Sequence, residues 1–299
     1  MKNFDYVIYH YSCPDGVTGL WCAYKYNKKF NKFGIPAGKD PSGNFIDKNI
    51  IFIDICPTYN FIIKTCNVAS KIIILDHHKS AYDMYLKNKD ELDSIINLEI
   101  IFDMNRSGCQ IAWDYFFPEV KRPWFIDYVA DQDLWTWNLP NSKEINCALE
   151  FNEFLDQNDL TKLDSLLSEE SIPKLIKQGK RIIKVKDKIM QDQLKNSEER
   201  NFNFNGIVYR VQTGTIPLEM RSAFGNLLAL KKLNNNTDPD FGIVWNYYPK
   251  ENIWMISLRG NETSPDLSLI ASHFGGGGHA KACGFKIKEN PFYKLITLD

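Results

Sequence analysis

Nowhere in this chain do apolar residues run unbroken for the roughly 20 positions needed to span a bilayer, no two cysteines are spaced Cys-x-x-Cys, and neither sign of charge prevails. The first absence excludes a transmembrane helix. The seven cysteines (Cys13, Cys22, Cys56, Cys66, Cys109, Cys147 and Cys283) lack a zinc-like spacing and are odd in number, which predicts free thiols in a reducing compartment. A formal charge of −1, with 24% charged residues, excludes the strongly basic surface that neutralises long nucleic acids. Short or small anionic substrates fit better. Met1-Lys2-Asn3-Phe4-Asp5 lacks the apolar core of a signal peptide, so a cytoplasmic protein with no membrane association is expected.

What is present is 44% hydrophobic content over 299 residues, enough for a core in one large or two ordinary domains. Three short β-branched runs end in residues that ligate metals or carry protons. Tyr6-Val7-Ile8-Tyr9 runs into His10, with Asp15-Gly16 soon after. Ile50-Ile51-Phe52-Ile53 runs into Asp54, and Lys71-Ile72-Ile73-Ile74 into Leu75-Asp76-His77-His78. Such runs read as buried strands. In an open α/β sheet ligands bind beyond the carboxyl ends of the strands, so an acid and two imidazoles delivered there predict a site. The stretches 17–26, with Leu20, Trp21 and Tyr24 at helical spacing, and 58–67 read as helices between strands. That alternation predicts a parallel sheet with right-handed crossovers. Taken alone, His10 and Asp15 equally suit a turn punctuated by Asp-Gly.

Downstream, 95–102 reads as another strand, and Asn105-Arg106-Ser107-Gly108 opens a helix through Phe116. Ser107 is either that helix's N-cap or the mark of free amides facing the site. A helical approach over 123–129 leads to Asp131 and Asp133, which beside Trp135 and Trp137 would by themselves make a solvated turn. Helix is expected over 144–167 and again, unbroken, over 172–200. In the latter, Leu175/Ile176, Ile182/Ile183 and Ile189/Met190 recur every seven residues as a stripe that must pack on something. Residues 171–200 also carry nine Lys/Arg against four acids, ordinarily a solvated face and otherwise a nucleic-acid track. Beyond Asn201 the pattern predicts a hairpin over 202–211 around Asn205-Gly206, a helix over 218–233, strands over 240–248 and 252–259, a helix over 266–274 and a last strand over 283–287. Between these last two, Gly275-Gly276-Gly277-Gly278 is either a plain turn or a phosphate cradle of unobstructed amides. The expected organisation is an α/β parallel-sheet domain over 1–170, a linker helix over 171–200 and a smaller α+β domain over 201–299.

Five elements in order resemble the DHH phosphoesterase family: His10 with Asp15-Gly16, strand-end Asp54, Asp76-His77-His78, Ala130-Asp131-Gln132-Asp133-Leu134-Trp135, and Gly275-Gly276-Gly277-Gly278-His279. The last resembles the motif of the DHH-associated C-terminal domain, so the resemblance spans nearly the whole chain. It implies phosphoester hydrolysis by two divalent cations, with Asp15, Asp54, His77 and Asp131 on one ion and Asp54 bridging to a second that His10 helps to hold. It further implies catalytic, phosphate-contacting or supporting roles for Asp76 and His78, a supporting role for Asp133, and substrate binding by Arg259, the four glycines and His279 across a cleft. Carboxylates with imidazoles suit a hard or borderline ion such as Mn²⁺.

One departure bears on the second ion. Many members carry Asp-x-Asp-Gly where this chain has Cys13-Pro14-Asp15-Gly16. A soft thiolate is a poor Mn²⁺ ligand, which implies a weaker second site, a softer metal, or completion through His10 and water. The expectation is a Mn²⁺-dependent phosphodiesterase acting on short oligonucleotides or small nucleotides, similar to nano-RNases and related exonucleases. The alternatives are a cyclic-dinucleotide, phosphoadenosine-phosphate or pyrophosphate hydrolase, or a nucleic-acid-binding relative that no longer cleaves. Pyrophosphatase relatives carry a different C-terminal domain, and a mere binder has no need of this many charges in one crevice. RNA or DNA preference, polarity and oligomer state are left open.

Overall fold

The computed structural model describes residues 3–11 and 13–298. They divide into two compact units, 1–183 and 184–299.

In the first, β1 (Tyr6–His10), α1 (Pro14–Tyr26), β2 (Asn31–Ile35), β3 (Asn49–Ile53), α2 (Tyr59–Cys66), β4 (Lys71–Asp76), α3 (Lys79–Lys87), α4 (Lys89–Asp93) and β5 (Leu98–Phe102) form an α/β layer structure. Its five strands lie in the order β2-β1-β3-β4-β5 with every neighbour parallel, as the strand-helix alternation predicts. Then come α5 (Gly108–Phe116), α6 (Trp124–Asp133), α7 (Ser142–Phe151) and α8 (Thr161–Asp164), while α9 (Ile172–Lys195) crosses the boundary between the units.

Successive strand side chains face opposite sides. Val7, Ile51, Ile53, Ile73 and Leu75 therefore pack with Leu20 and Trp21 of α1 and Ile111 of α5. Ile8, Ile50, Phe52, Ile72 and Ile74 pack with Ile62 of α2 and Leu92 of α4. Helices on both faces explain why these strands are nearly continuous apolar runs. Because α1 covers one face and α2 the other, the winding reverses between β1 and β3. A crevice at such a reversal is where an open α/β sheet takes a ligand, and His10 and Asp54 close β1 and β3 on either side of it.

Several local expectations need correction. β2 follows a stretch with no alternation; it is an edge strand with four of five residues exposed. α3 buries nothing, so no apolar spacing announces it. The expected helix over 144–167 breaks after Phe151, where Glu153 takes a φ of 55°, and resumes only as the single turn α8. The expected helix over 172–200 stops at Lys195, and Glu198–Arg200 enter a strand.

The second unit contains β6 (Glu198–Phe204), β7 (Ile207–Gly214), α10 (Arg221–Leu230), β8 (Phe241–Tyr248), β9 (Ile253–Arg259), α11 (Leu267–His273), β10 (Gly277–His279), β11 (Ala282–Ile287) and β12 (Ile296–Thr297). They build a seven-stranded sheet in the order β10-β11-β9-β8-β7-β6-β12, parallel only between β7 and β8. Asn205 and Gly206, at φ of 49° and 80°, make the hairpin turn between β6 and β7. Leu267 and Ile270 of α11 pack with Phe241 and Ile243, while Phe224 and Leu228 of α10 pack with Val244 from the other face. The expected helix over 218–233 is α10 alone, preceded by one 3-10 turn. The strand over 283–287 is not the last, because β12 follows and pairs with β6. No helix among the described residues is long and apolar enough to cross a membrane.

Candidate metal centre

Asp54 lies one residue past β3 with a φ of 58°, in the left-handed region that Asp tolerates better than most residues. Its carboxylate is fully buried and touches three imidazoles. Oδ1 is 3.1 Å from His77 Nε2 and 3.8 Å from His78 Nδ1, and Oδ2 is 3.3 Å from His10 Nδ1. His77 Nε2 in turn lies 3.6 Å from Asp15 Oδ2 and 3.3 Å from Asp133 Oδ2.

The surrounding backbone holds these groups in place. Asp76 Oδ1 accepts from the amides of His77 (2.8 Å) and His78 (3.3 Å) and lies 2.7 Å from His78 Nδ1. That contact assigns the proton to Nδ1 in the neutral ring and leaves Nε2 with its lone pair. Asp15, in the first turn of α1, receives the free end of α5: Oδ1 accepts from Ser107 Oγ (2.8 Å) and Cys109 N (2.9 Å), and Oδ2 from Gly108 N (2.6 Å). An anion at a helix N-terminus is favoured by unpaired amides and the helix dipole. Ser107 is thus the N-cap, its own amide donating to Gln110 Oε1, and the amides expected to be free for a phosphate go to Asp15 instead. A Cβ on Gly108 would sit 2.7 Å from Asp54 Cα and overlap Asp54 Cβ. Gly108→Ala is therefore expected to destabilise the protein by about 1–3 kcal/mol and to weaken cation binding, measured by thermal unfolding with and without Mn²⁺.

These contacts move the protons. Burial lowers the His77 imidazole, but Asp54, Asp15 and Asp133 outweigh it and push the pKa up to about 9. Burial likewise opposes His78, and Asp76 carries it to about 9. Burial would raise Asp54, yet His10 and His77 hold it well below the usual carboxylate range. Burial raises Asp15 and Asp133, and in both cases the charge of Asp54 adds to the rise.

Among the described residues, His10 Nδ1 and Asp54 Oδ2 are buried side by side yet share no aligned hydrogen bond, and Asp76 Oδ2 has no partner either. Buried polar atoms are nearly always paired, so atoms left over mark a place for a further ligand. Two sets of ligand atoms, from His10, Asp54 and His78 and from Asp15, Asp54 and His77, each lie within 4.8 Å of one another. Asp54 belongs to both. Oxygen and imidazole donors in this arrangement fit divalent cations.

The last two acids of α6 lie differently from expectation. Asp131, expected as a ligand, spends both oxygens on the next loop, accepting from Thr136 Oγ1 (2.6 Å), Asn138 N (2.8 Å) and Leu139 N (3.2 Å). Asp133, expected as a possible ligand or supporting group, is the acid of α6 that reaches His77, with Oδ2 3.3 Å from Nε2. The reason is helical phase, because residues two apart on α6 point about 200° from each other. Cys13 Sγ lies 3.9 Å from Asp133 Oδ1, and burial, then Asp54, Asp15 and Asp133, raises its thiol, which disfavours a thiolate ligand. His78, expected to contact phosphate, falls in a ligand set, while Asp76 positions it.

In the second unit Arg259 and Gly275–Gly278 line one cavity of about 430 Å³, together with Arg221, Ser257 and Lys286, which the sequence did not single out. Arg259 donates to Ser222 Oγ (2.8 Å) and to the Leu258 carbonyl (2.9 Å). Burial, then the Arg221 guanidinium, lowers its pKa, a repulsion that a bound anion would relieve. The glycines are not a simple amide cradle. Gly275, at φ 72°, and Gly276 donate to the Ser272 and Ala271 carbonyls as the cap of α11, and Gly277 and Gly278 enter β10. His279 is exposed at the end of that edge strand and does not line the cavity.

No protein-family profile matches the sequence. An uncharacterized protein of Acanthamoeba polyphaga mimivirus is 30% identical over 298 residues, covering 94% of this chain; the chain spans 66% of that protein's length. Among solved structures the chain is similar to RecJ in complex with Mn²⁺ from Thermus thermophilus, at a TM-score of 0.49, 12% identity and coverage of 96% of this chain and 50% of RecJ. It is also similar to the pGpG-specific phosphodiesterase PggH from Vibrio cholerae, at 0.48 and 12%, with 95% and 93% covered. An exopolyphosphatase-related protein from Bacteroides fragilis gives 0.37 and 13%, with 95% and 87% covered.

Proposed function

We propose that this chain is a DHH-type, Mn²⁺-dependent phosphodiesterase acting on short oligonucleotides or small nucleotides. The observation that carries the reading is the buried Asp54 carboxylate, shared between two sets of oxygen and imidazole donors at the switch point of a parallel sheet. His10, Asp54 and His78 would hold one cation, and Asp15, Asp54 and His77, with Asp133 beside them, the other. When bound, such cations supply Lewis acidity toward a phosphoryl oxygen and acidify water. The chain's own groups do the rest. Asp76 keeps the His78 ring turned, the α5 amides keep Asp15 in place, and the protons on His77 and His78 balance the neighbouring acids. Arg259, Arg221 and Lys286 around the second unit's cavity supply positive charge for a substrate phosphate.

Purified protein with Mn²⁺ is expected to release mononucleotides from RNA of about two to five residues, and His77→Ala to abolish the release, because that ring faces three of the acids. Product formation is followed by chromatography. Undiminished hydrolysis by the variant would place the activity elsewhere or in a contaminant.

A further inference from the structure

We propose that Trp135 and Trp137 form a platform on which a nucleobase of the substrate stacks beside the candidate metal centre. The inference rests on the phosphodiesterase reading above and names the part of the substrate that this site reads. α6 ends at Asp133, whose Oδ2 is 3.3 Å from His77 Nε2. Trp135 follows two residues later, so its Cα lies within about 7.6 Å of that of Asp133. A base joined to a phosphate at the centre is within reach of it.

The backbone here is held in a costly shape. Trp135 and Trp137 both lie in the left-handed region, at φ of 56° and 52°. For bulky side chains that conformation is an outlier, and such strain persists only where the surroundings impose it, commonly at functional sites. Asp131 imposes it. Its buried carboxylate accepts from Thr136 Oγ1, Asn138 N and Leu139 N, and its carbonyl accepts from the amide of Thr136 at 3.0 Å and that of Trp137 at 3.4 Å. An acid two residues before Asp133 on α6 is thereby devoted to the loop that carries the two indoles.

The result is aromatic surface left in water. Trp21 and Trp113 of the same unit are buried in its core, whereas Trp135 is 62% exposed. Its ring meets that of Trp137 at 5.0 Å and 74°, and Lys143 Nζ stands 5.4 Å from the centroid of Trp137. An exposed indole braced by a second one, with a cation beside it, is suited to the π-face of a base and indifferent to which base it is.

The test compares an RNA dinucleotide with the same dinucleotide lacking both bases, using wild type, Trp135→Ala and Trp135→Phe. Stacking predicts that the wild type prefers the substrate with bases, through KM, and that Trp135→Ala reduces this preference by about 5- to 150-fold while Trp135→Phe keeps most of it. Equal losses on both substrates, or no change in the ratio, overturn the proposal. So does a change in molecular mass of Trp135→Ala in light scattering, which would make the indole an assembly contact. If the wild type cleaves neither substrate, the phosphodiesterase reading fails. The platform is then decided by quenching of tryptophan fluorescence on titration with adenosine monophosphate: quenching lost in Trp135→Ala supports it, and no quenching in the wild type refutes it.

Discussion

Asp54→Asn is expected to lower Mn²⁺ affinity and hydrolysis together, with kcat/KM falling by about 10³-fold or more. A cation at a phosphoryl centre contributes several kcal/mol to the transition state, and about 4 kcal/mol corresponds to that factor. Asn preserves the volume of the side chain and tolerates the left-handed backbone at this position, so the fold is expected to survive. What is lost is a negative charge that lies against His10, His77 and His78 together. Calorimetric titration with Mn²⁺ and initial rates on a dinucleotide measure the two effects. A variant within tenfold of wild type in both would show that Asp54 is merely a buried partner of the histidines.

Raising the pH from about 7 to 9 is expected to strengthen Mn²⁺ binding by up to about tenfold per pH unit for each proton released. Without metal, His77 and His78 hold their protons up to about 9, and a ligand nitrogen must give its proton up. Stability of the metal-free protein runs the other way. Both imidazoles have folded values above the ordinary 6.5, so their contribution is complete below about 6.5 and fades as the pH rises through 9. Asp54, held below 3.8, contributes above that value and loses its contribution as the pH falls through its folded pKa. Asp15 and Asp133 are raised and have the opposite sign, favouring the fold on acidification. Titration calorimetry across this range, with urea unfolding of the metal-free protein, checks both trends; affinity that is flat with pH would mean that the imidazoles are not ligands.

The parallel sheet and the three strand ends that carry the candidate ligands were legible in the sequence because β-branched runs and the polar residues closing them are local signals. The Asn205-Gly206 hairpin was legible for the same reason. β2 was not, since an exposed edge strand needs no alternation. That Asp133 rather than Asp131 faces His77 was hidden because which face an acid takes depends on where α6 ends, and two positions on a helix reverse the face. The α5 amides on Asp15 and the close approach of Gly108 to Asp54 arise from contact between segments more than 90 and more than 50 positions apart, which no spacing rule reports. The glycine run looked like a phosphate loop; the capping of α11 and the pairing of β10 are tertiary facts that claim its amides first. Arg221 and Lys286 carried no motif and are identified only by the cavity they share with Arg259.

The central claim is that one buried carboxylate serves two cations, and anomalous diffraction at the manganese edge from crystals grown with Mn²⁺ tests it most directly. The account predicts two peaks flanking Asp54, one toward His10 and His78 and the other toward Asp15 and His77. A single peak away from Asp54, or none at saturating Mn²⁺, would contradict it.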